Sequence, residues 1–344
     1  DPDTNGNFEV TYVITVQNTG GQPDNYDLTD TPTPDPAVTI LGGDVTGHSN
    51  LTLVGSGPYT FVTGEIIQPS ATHVYTVRLD AVLSSDILTG EDVVTTCGQR
   101  SGTPIAGEGL FNEAVVTYGP SDFSITNDAC GDIPPVLVLE KDFVSTTDPD
   151  ALGNFQVVYT VTVINSGGES TTYDFIDTPA PDTNVTISGG AVTGHTNLTL
   201  VGDGPYTVVL NELIGAGVSH VYTMRLDAVL SAGVLDGSVT VSQCSSITAP
   251  SAAGEGLFNE AVVTYGANDR SITNDACGDI PPFIVVDKTF VSAGQADQNG
   301  NFQFEYVITV ENTGGEQGSY DLTDDPSPDA NITISGGGVS GHIP

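Results

Sequence analysis

The sequence predicts an all-β chain built as tandem immunoglobulin-like β-sandwich modules, and three observations carry that expectation. Short Val/Ile/Tyr/Phe-rich runs alternate apolar and polar residues with period two, the mark of strands with one buried face. Turn signals rich in Gly, Pro and Asp separate these runs, in a chain with 41 Gly and 21 Pro. Long segments recur at a 147-residue step. GNFEVTYVITVQNTGG begins at Gly6, GNFQVVYTVTVINSGG at Gly153 and GNFQFEYVITVENTGG at Gly300. GEGLFNEAVVTYG is identical from Gly107 and Gly254, and SITNDACGDIPP from Ser124 and Ser271.

Pro134-Pro135 and Pro281-Pro282 cannot continue a helix and favour extended chain, so the module boundaries fall there. Residues 1–133 are expected to form a module without its first strand, 134–280 a complete module, and 281–344 the N-terminal part of a third. The chain then reads as a window on a longer array, with a strand-exchanging subunit as the alternative. In the complete module PVLVLEKDFV reads as the first strand and NFQVVYTVTVINS as the second, with Phe155, Val157, Tyr159, Val161 and Val163 on one face. TTYDFIDT, NVTISGG, LTLVG, PYTVVL, SHVYTMRLDAVL, SVTVSQC and FNEAVVTYG follow as further strands. No ten-residue stretch carries a helical period. Many short strands with Gly/Pro/Asp turns at this length read as a sandwich able to bury its own core.

The charge is -38, from 44 acidic and 6 basic residues. That argues against a basic face for nucleic acid or anionic lipid. No apolar run approaches the roughly 18 residues of a membrane span. The acid is mostly Asp, which favours turns and ligates calcium, and a salty or calcium-rich exterior would screen it.

The motifs KTF at Lys288, YVITVENTGG at Tyr306, DTPAP at Asp177 and NEAVV at Asn259 carry a family resemblance. The pattern is similar to the conserved-repeat domain of bacterial surface proteins known as domain of unknown function eleven. The resemblance covers essentially every module and implies a tandem array in a secreted surface protein, with a structural or adhesive role. The modules here are longer, chiefly between Cys244 and Gly254.

Each module has two cysteines 33 positions apart, which read as disulfides Cys97–Cys130 and Cys244–Cys277, with buried thiols as the alternative. The two lysines occupy one repeat position in an apolar strand. Alternation puts Leu137, Leu139, Lys141 and Phe143 on one face, and Ile284, Val286, Lys288 and Phe290 on its counterpart. In the late strand Asn259, Ala261, Val263 and Tyr265 share a face. The set resembles Gram-positive pilin and adhesin sandwiches that join a Lys to an Asn through an isopeptide bond beside a buried carboxyl. That resemblance implies the trio Lys141, Asn259 and Asp177 (or Asp174). The alternative is a lysine that snorkels to the rim or pairs with an acid.

DPDTNGN at Asp1 matches the first half of an oxygen-rich calcium loop, through Asp1, Asp3 and Asn5, but Tyr12 stands where the closing Glu belongs. Asp148 and Asp150 remain in the second copy. Asp128, Asp132, Asp275 and Asp279 are alternative ligands between modules, and solvated turn aspartates are the plainer reading. Calcium is the only cofactor this pattern suggests. Sequons at Asn50, Asn184, Asn197 and Asn331 are glycan acceptors or chance. The histidines, including the repeat set His48, His195 and His342 and the pair His73 and His220, read as structural. Arg78 beside Asp80 and Arg225 beside Asp227 read as ion pairs. No phosphate loop, nucleophile elbow or metalloprotease pair occurs.

The expected function is a non-catalytic structural repeat of an extracellular fibre, filament or surface stalk. Its partners would be adjacent modules and neighbouring chains of its own kind. An adhesin module for a glycan or surface ligand, and an accessory array of a secreted enzyme, are the rival readings.

Overall fold

The computed structural model describes residues 2–245, 250–266 and 268–341, and the chain is almost entirely antiparallel β. The strands of the first unit are β1 (Asn7–Gln17), β2 (Asp24–Pro32), β3 (Val38–Gly47), β4 (Leu51–Val54), β5 (Tyr59–Ile67), β6 (Thr72–Leu83), β7 (Asn112–Tyr118) and β8 (Phe123–Ala129), with a short helix α1 (Ser85–Thr89) after β6. They form two sheets, β1-β6-β3-β4 and β5-β2-β7-β8. The second unit comprises β9 (Leu137–Thr146), β10 (Asn154–Asn165), β11 (Thr171–Pro179), β12 (Val185–Gly194), β13 (Leu198–Val201), β14 (Tyr206–Ile214), β15 (Ser219–Leu230), α2 (Ala232–Leu235), β16 (Asn259–Tyr265) and β17 (Arg270–Ala276). Its sheets are β13-β12-β15-β10-β9 and β14-β11-β16-β17. The order is that of the first unit with β9 added on the edge of β10. Beyond it β18 (Ile284–Ala293) and β19 (Phe304–Asn312) form a hairpin.

Each unit has one core fed by both of its sheets, as a sandwich requires. Phe155, Val157, Tyr159, Val161 and Val163 of β10 are all buried, as their alternation dictates. Side chains of β12, β15, β11 and β16 meet them from both layers. A glycine pair marks a register shift in each unit. The register shifts between Ile40 and Gly42 and between Ile187 and Gly189. At Gly43 and Gly190 a Cβ would meet the carbonyl oxygens of Arg78 and Arg225 at 1.9 and 2.0 Å, so only glycine lets these strands approach.

One sequence reading is corrected and one strand is added. SVTVSQC is not a strand. It runs as irregular chain whose backbone is recruited by other segments: Val241 N–H donates to Thr313 O at 3.1 Å, and Ser242 N–H to Asp182 at 2.8 Å. Tertiary partners took the hydrogen bonds that a ladder would have used. Conversely, RSITNDA forms β17, because β16 pairs with it along its whole length.

Consecutive units are docked at a junction that occurs twice with the same chemistry. Ser166 is fully buried, and its hydroxyl donates to Ile87 O of α1 at 2.7 Å; Val94 N–H donates to Ser166 O at 3.1 Å. At the next junction Thr313, also fully buried, donates to Val234 O of α2 at 2.9 Å and accepts from Val241 N–H. Gly168 and Gly315 N–H donate to Ile133 O and Ile280 O, both at 2.9 Å, and both isoleucines are fully buried. A Cβ on Gly167 or Gly314 would strike the Pro134 or Pro281 carbonyl. The Asn-Ser/Thr-Gly-Gly motif and the Ile-Pro-Pro motif are thus the two halves of one joint.

Candidate functional site

The addition of β9 creates the site. Strand β9 pairs with β10 and lies across from β17, where Asn274 Nδ2 donates to Leu139 O at 2.9 Å. Leu137 and Leu139 fill the gap, each burial contributing roughly 2 kcal/mol. Two residues further, on the same face, Lys141 enters the interior with its side chain fully enclosed. Its Nζ donates to Asp177 Oδ1, at the end of β11, and Asp177 is itself fully buried. Asn259, at the start of β16 and opposite Pro179 in register, donates from Nδ2 to Asp177 Oδ2 at 3.1 Å. The Asn259 Oδ1 has no partner. The Lys141 Nζ also stands 5.3 Å from the centre of the Tyr159 ring.

Burial dominates the electrostatics. Desolvation pushes the Lys141 amine well below its ordinary value, and Asp177 only partly restores it. Desolvation likewise raises Asp177 against the pull of Lys141 and Asn259. Both shifts favour the neutral pair, a free amine beside a protonated carboxyl. Such a trio is equipped for one reaction. The amine attacks the Asn259 Cγ, the Asp177 proton polarises the Asn259 carbonyl, and the Cγ–Nδ2 bond breaks. The proton shed by the amine passes through Asp177 to the departing nitrogen, so one amide forms and one ammonia leaves. The Asn259 amide must turn over so that Oδ1, unsatisfied as placed, receives the Asp177 proton. Asp174, the alternative carboxyl, is outside this trio: it is occupied by the Asn211 backbone N–H at 2.7 Å.

The first unit holds the same carboxyl–amide pair without a lysine. Asp30 and Asn112 are buried, joined by Asn112 Nδ2 to Asp30 Oδ2 at 3.2 Å, and Asp30 Oδ1 and Asn112 Oδ1 are both unsatisfied. They line a cavity of about 230 Å³ between β1 and β8, with Tyr12, Val116, Ile125 and Asn127, where β9 would lie in the second unit. Burial raises Asp30 to about 6. In the hairpin Lys288 pairs with Asp324, exposed to solvent on both sides.

The remaining sequence candidates are placed as follows. Cys97–Cys130 and Cys244–Cys277 are disulfides. Asp132 and Asp279, proposed as calcium ligands, accept the N–H of Cys97 and Cys244, each at 2.7 Å. Asp3 and Asp150 close their own turns by accepting from Asn7 and Asn154, while Asn5 donates its N–H to Asp3. Asp128, Asp148 and Asp275 are exposed. Asp1 and His342 lie outside the described residues. Asn50, Asn197 and Asn331 are exposed, and Asn184 is half-buried against Asp182. Arg78 is paired with Glu9 and Asp44 instead of Asp80. The cross-strand neighbours sit closer than residue i+2 of the same strand. Asp227 instead accepts from Gln156 Nε2 at 2.8 Å. Sequence reasoning missed the buried Glu108, which accepts the N–H groups of Gly98 and Arg100 and organises the loop beside the disulfide. Its signal was its place in the unchanged GEGLFNEAVV repeat.

No family model matches this chain, and no curated protein is similar to it. Among solved structures it is similar to the T6 backbone pilin of serotype M6 Streptococcus pyogenes, at 12% identity and TM-score 0.25, over 89% of this chain and 73% of the pilin. It is also similar to a biofilm-associated protein B domain, at 8% identity and TM-score 0.20, over 80% and 86%. Red sea bream transglutaminase matches at 9% identity and TM-score 0.21, over 80% of this chain. The chain spans less than a third of the length of that enzyme.

Proposed function

We propose that this chain is a load-bearing structural segment of an extracellular fibre or surface stalk, whose second unit is locked by an internal Lys141–Asn259 amide. The observation that carries this reading is the fully enclosed trio, which brings an amine, a carboxyl and a carboxamide together in a dry interior. The two linked strands sit near opposite ends of the unit's sequence, so a bond between them routes tension past the intervening chain. The repeated joint supports the same reading, because hydroxyls and glycines fix one unit on the next without a flexible linker. The two disulfides fit an oxidising, extracellular setting.

Intact mass tests the chemistry. With its two disulfides reduced, the chain should weigh one ammonia less than its sequence, and a peptide linking the Lys141 and Asn259 fragments should appear after digestion. Lys141→Arg, Asp177→Ala and Asn259→Ala should each restore the full mass. An unmodified mass in the parent chain would remove the covalent lock from the account.

A further inference from the structure

A second cluster of chemically capable side chains lies away from the lysine trio and occurs in both units: His48, Glu65 and His73, and His195, Glu212 and His220. In each, one ligand atom per residue lies within 4.8 Å of the other two. The first histidine follows β3 or β12, the second lies in β6 or β15, and the glutamate stands on β5 or β14. The two imidazoles therefore come from one sheet and the carboxylate from the edge strand of the other. His48 Nε2 is 3.0 Å from Glu65 Oε1, and His195 Nε2 is 2.9 Å from Glu212 Oε1. A tetrahedral ion with bonds of about 2.0–2.1 Å spaces its ligands roughly 3.3 Å apart, so this edge of the cluster is already near ligand spacing.

The surroundings are built to present the other imidazole. His73 Nδ1 and His220 Nδ1 each hydrogen-bond a tyrosine hydroxyl at 2.8 Å, that of Tyr26 or Tyr173. Those hydroxyls are bonded in turn to Tyr75 or Tyr222. In the tautomer whose Nδ1–H donates to the tyrosine oxygen, Nε2 keeps its lone pair, which is the outer-sphere pattern of histidine metal ligands. The rings within each cluster stack at 3.5 Å between centroids. Converging both lone pairs on one ion takes a ring rotation at His48 and His195, the exposed members. Substitutions between the units go around the cluster. Phe61, Thr63, Gly64 and Ile66 on the glutamate strand become Val208, Leu210, Asn211 and Leu213, while every His, Glu and Tyr named above is unchanged.

We propose that each cluster binds one divalent transition-metal ion of the zinc class, tying the two sheets together at one end of the sandwich. Two imidazole nitrogens with one carboxylate suit Zn²⁺, Ni²⁺ or Cu²⁺ over the harder Ca²⁺ and Mg²⁺. This is independent of the lysine chemistry and of the aspartate turns.

The test is calorimetric titration of the full chain with ZnCl₂, in excess Ca²⁺ and Mg²⁺ to occupy surface carboxylates. Two Zn²⁺ per chain are expected, falling to one in His73→Asn and to none in the His73→Asn/His220→Asn double variant. Cu²⁺ bound to the unaltered chain should show electron paramagnetic coupling to two imidazole nitrogens, a readout that needs no variant to fold. Fewer than two saturable ions, an unchanged stoichiometry in the double variant, or a Cu²⁺ spectrum without that nitrogen coupling would overturn the assignment.

Discussion

Asp30 and Asp177 show how one residue type acquires two chemistries from its neighbours. Both are buried at the end of the same strand and both receive an asparagine amide. Asp177 has a lysine, and Asp30 has a cavity. Folded Asp30 holds its proton up to about 6, against 3.8 for the ordinary residue. Between those values folded Asp30 binds more proton than unfolded Asp30, so its contribution to stability is greatest below 3.8 and is lost as pH rises to about 6. The loss is roughly 3 kcal/mol, from about two units of displacement. Asp30→Asn should flatten this slope, read as urea midpoints across the range; an unchanged slope would place the titration elsewhere. At this scale the sequence was informative where alternation applied. The inward face of Lys141 and Asn259 followed from period two alone. The partners of Arg78 did not, because cross-strand register is set by pairing that no single strand encodes.

The strand is the unit that distinguishes the two sandwiches. The unchanged NEAVVTY segment is half-buried through most of β7 but alternates with a fully buried face in β16. β8 is exposed throughout, while β17 is partly covered. The difference is β9, which closes the seam between the sheets. A synthetic peptide of residues 134–147, added in trans, should therefore bind the first unit between β1 and β8 with one-to-one stoichiometry. It should lose affinity when its lysine is replaced by glutamate, which would bury a second anion beside Asp30. Calorimetry without saturable binding would contradict that role for the seam. Most strands were legible from polarity and turn residues. SVTVSQC was misread because its hydrogen bonds go to Asp182 and to Thr313 of the following segment, and β17 was missed because its alternately covered face, Arg270, Ile272, Asn274 and Ala276, carries only one large apolar side chain.

At the scale of the whole molecule, one joint recurs between consecutive units. The step from Gly6 to Gly153 to Gly300 was plain in the sequence. The reason for its Gly-Gly and Pro-Pro motifs was not, since they meet only after folding. Ile133 is fully buried in that joint. Ile133→Ala should cost about 2–5 kcal/mol there and open the chain near Pro134 to limited proteolysis. Resistance equal to the parent would mean that the joint carries little of the docking energy.

The most direct test of the load-bearing claim is single-molecule stretching of the chain from its ends. With Lys141 bonded to Asn259, and Cys244 to Cys277, tension bypasses most of the second unit. The account predicts that the chain between Lys141 and Cys244 never pays out, and that Lys141→Arg releases it as a step of roughly 350 Å. The first unit, bridged only at Cys97–Cys130, pays out roughly 330 Å in either protein, so a second step of this size in the unaltered chain would contradict the account.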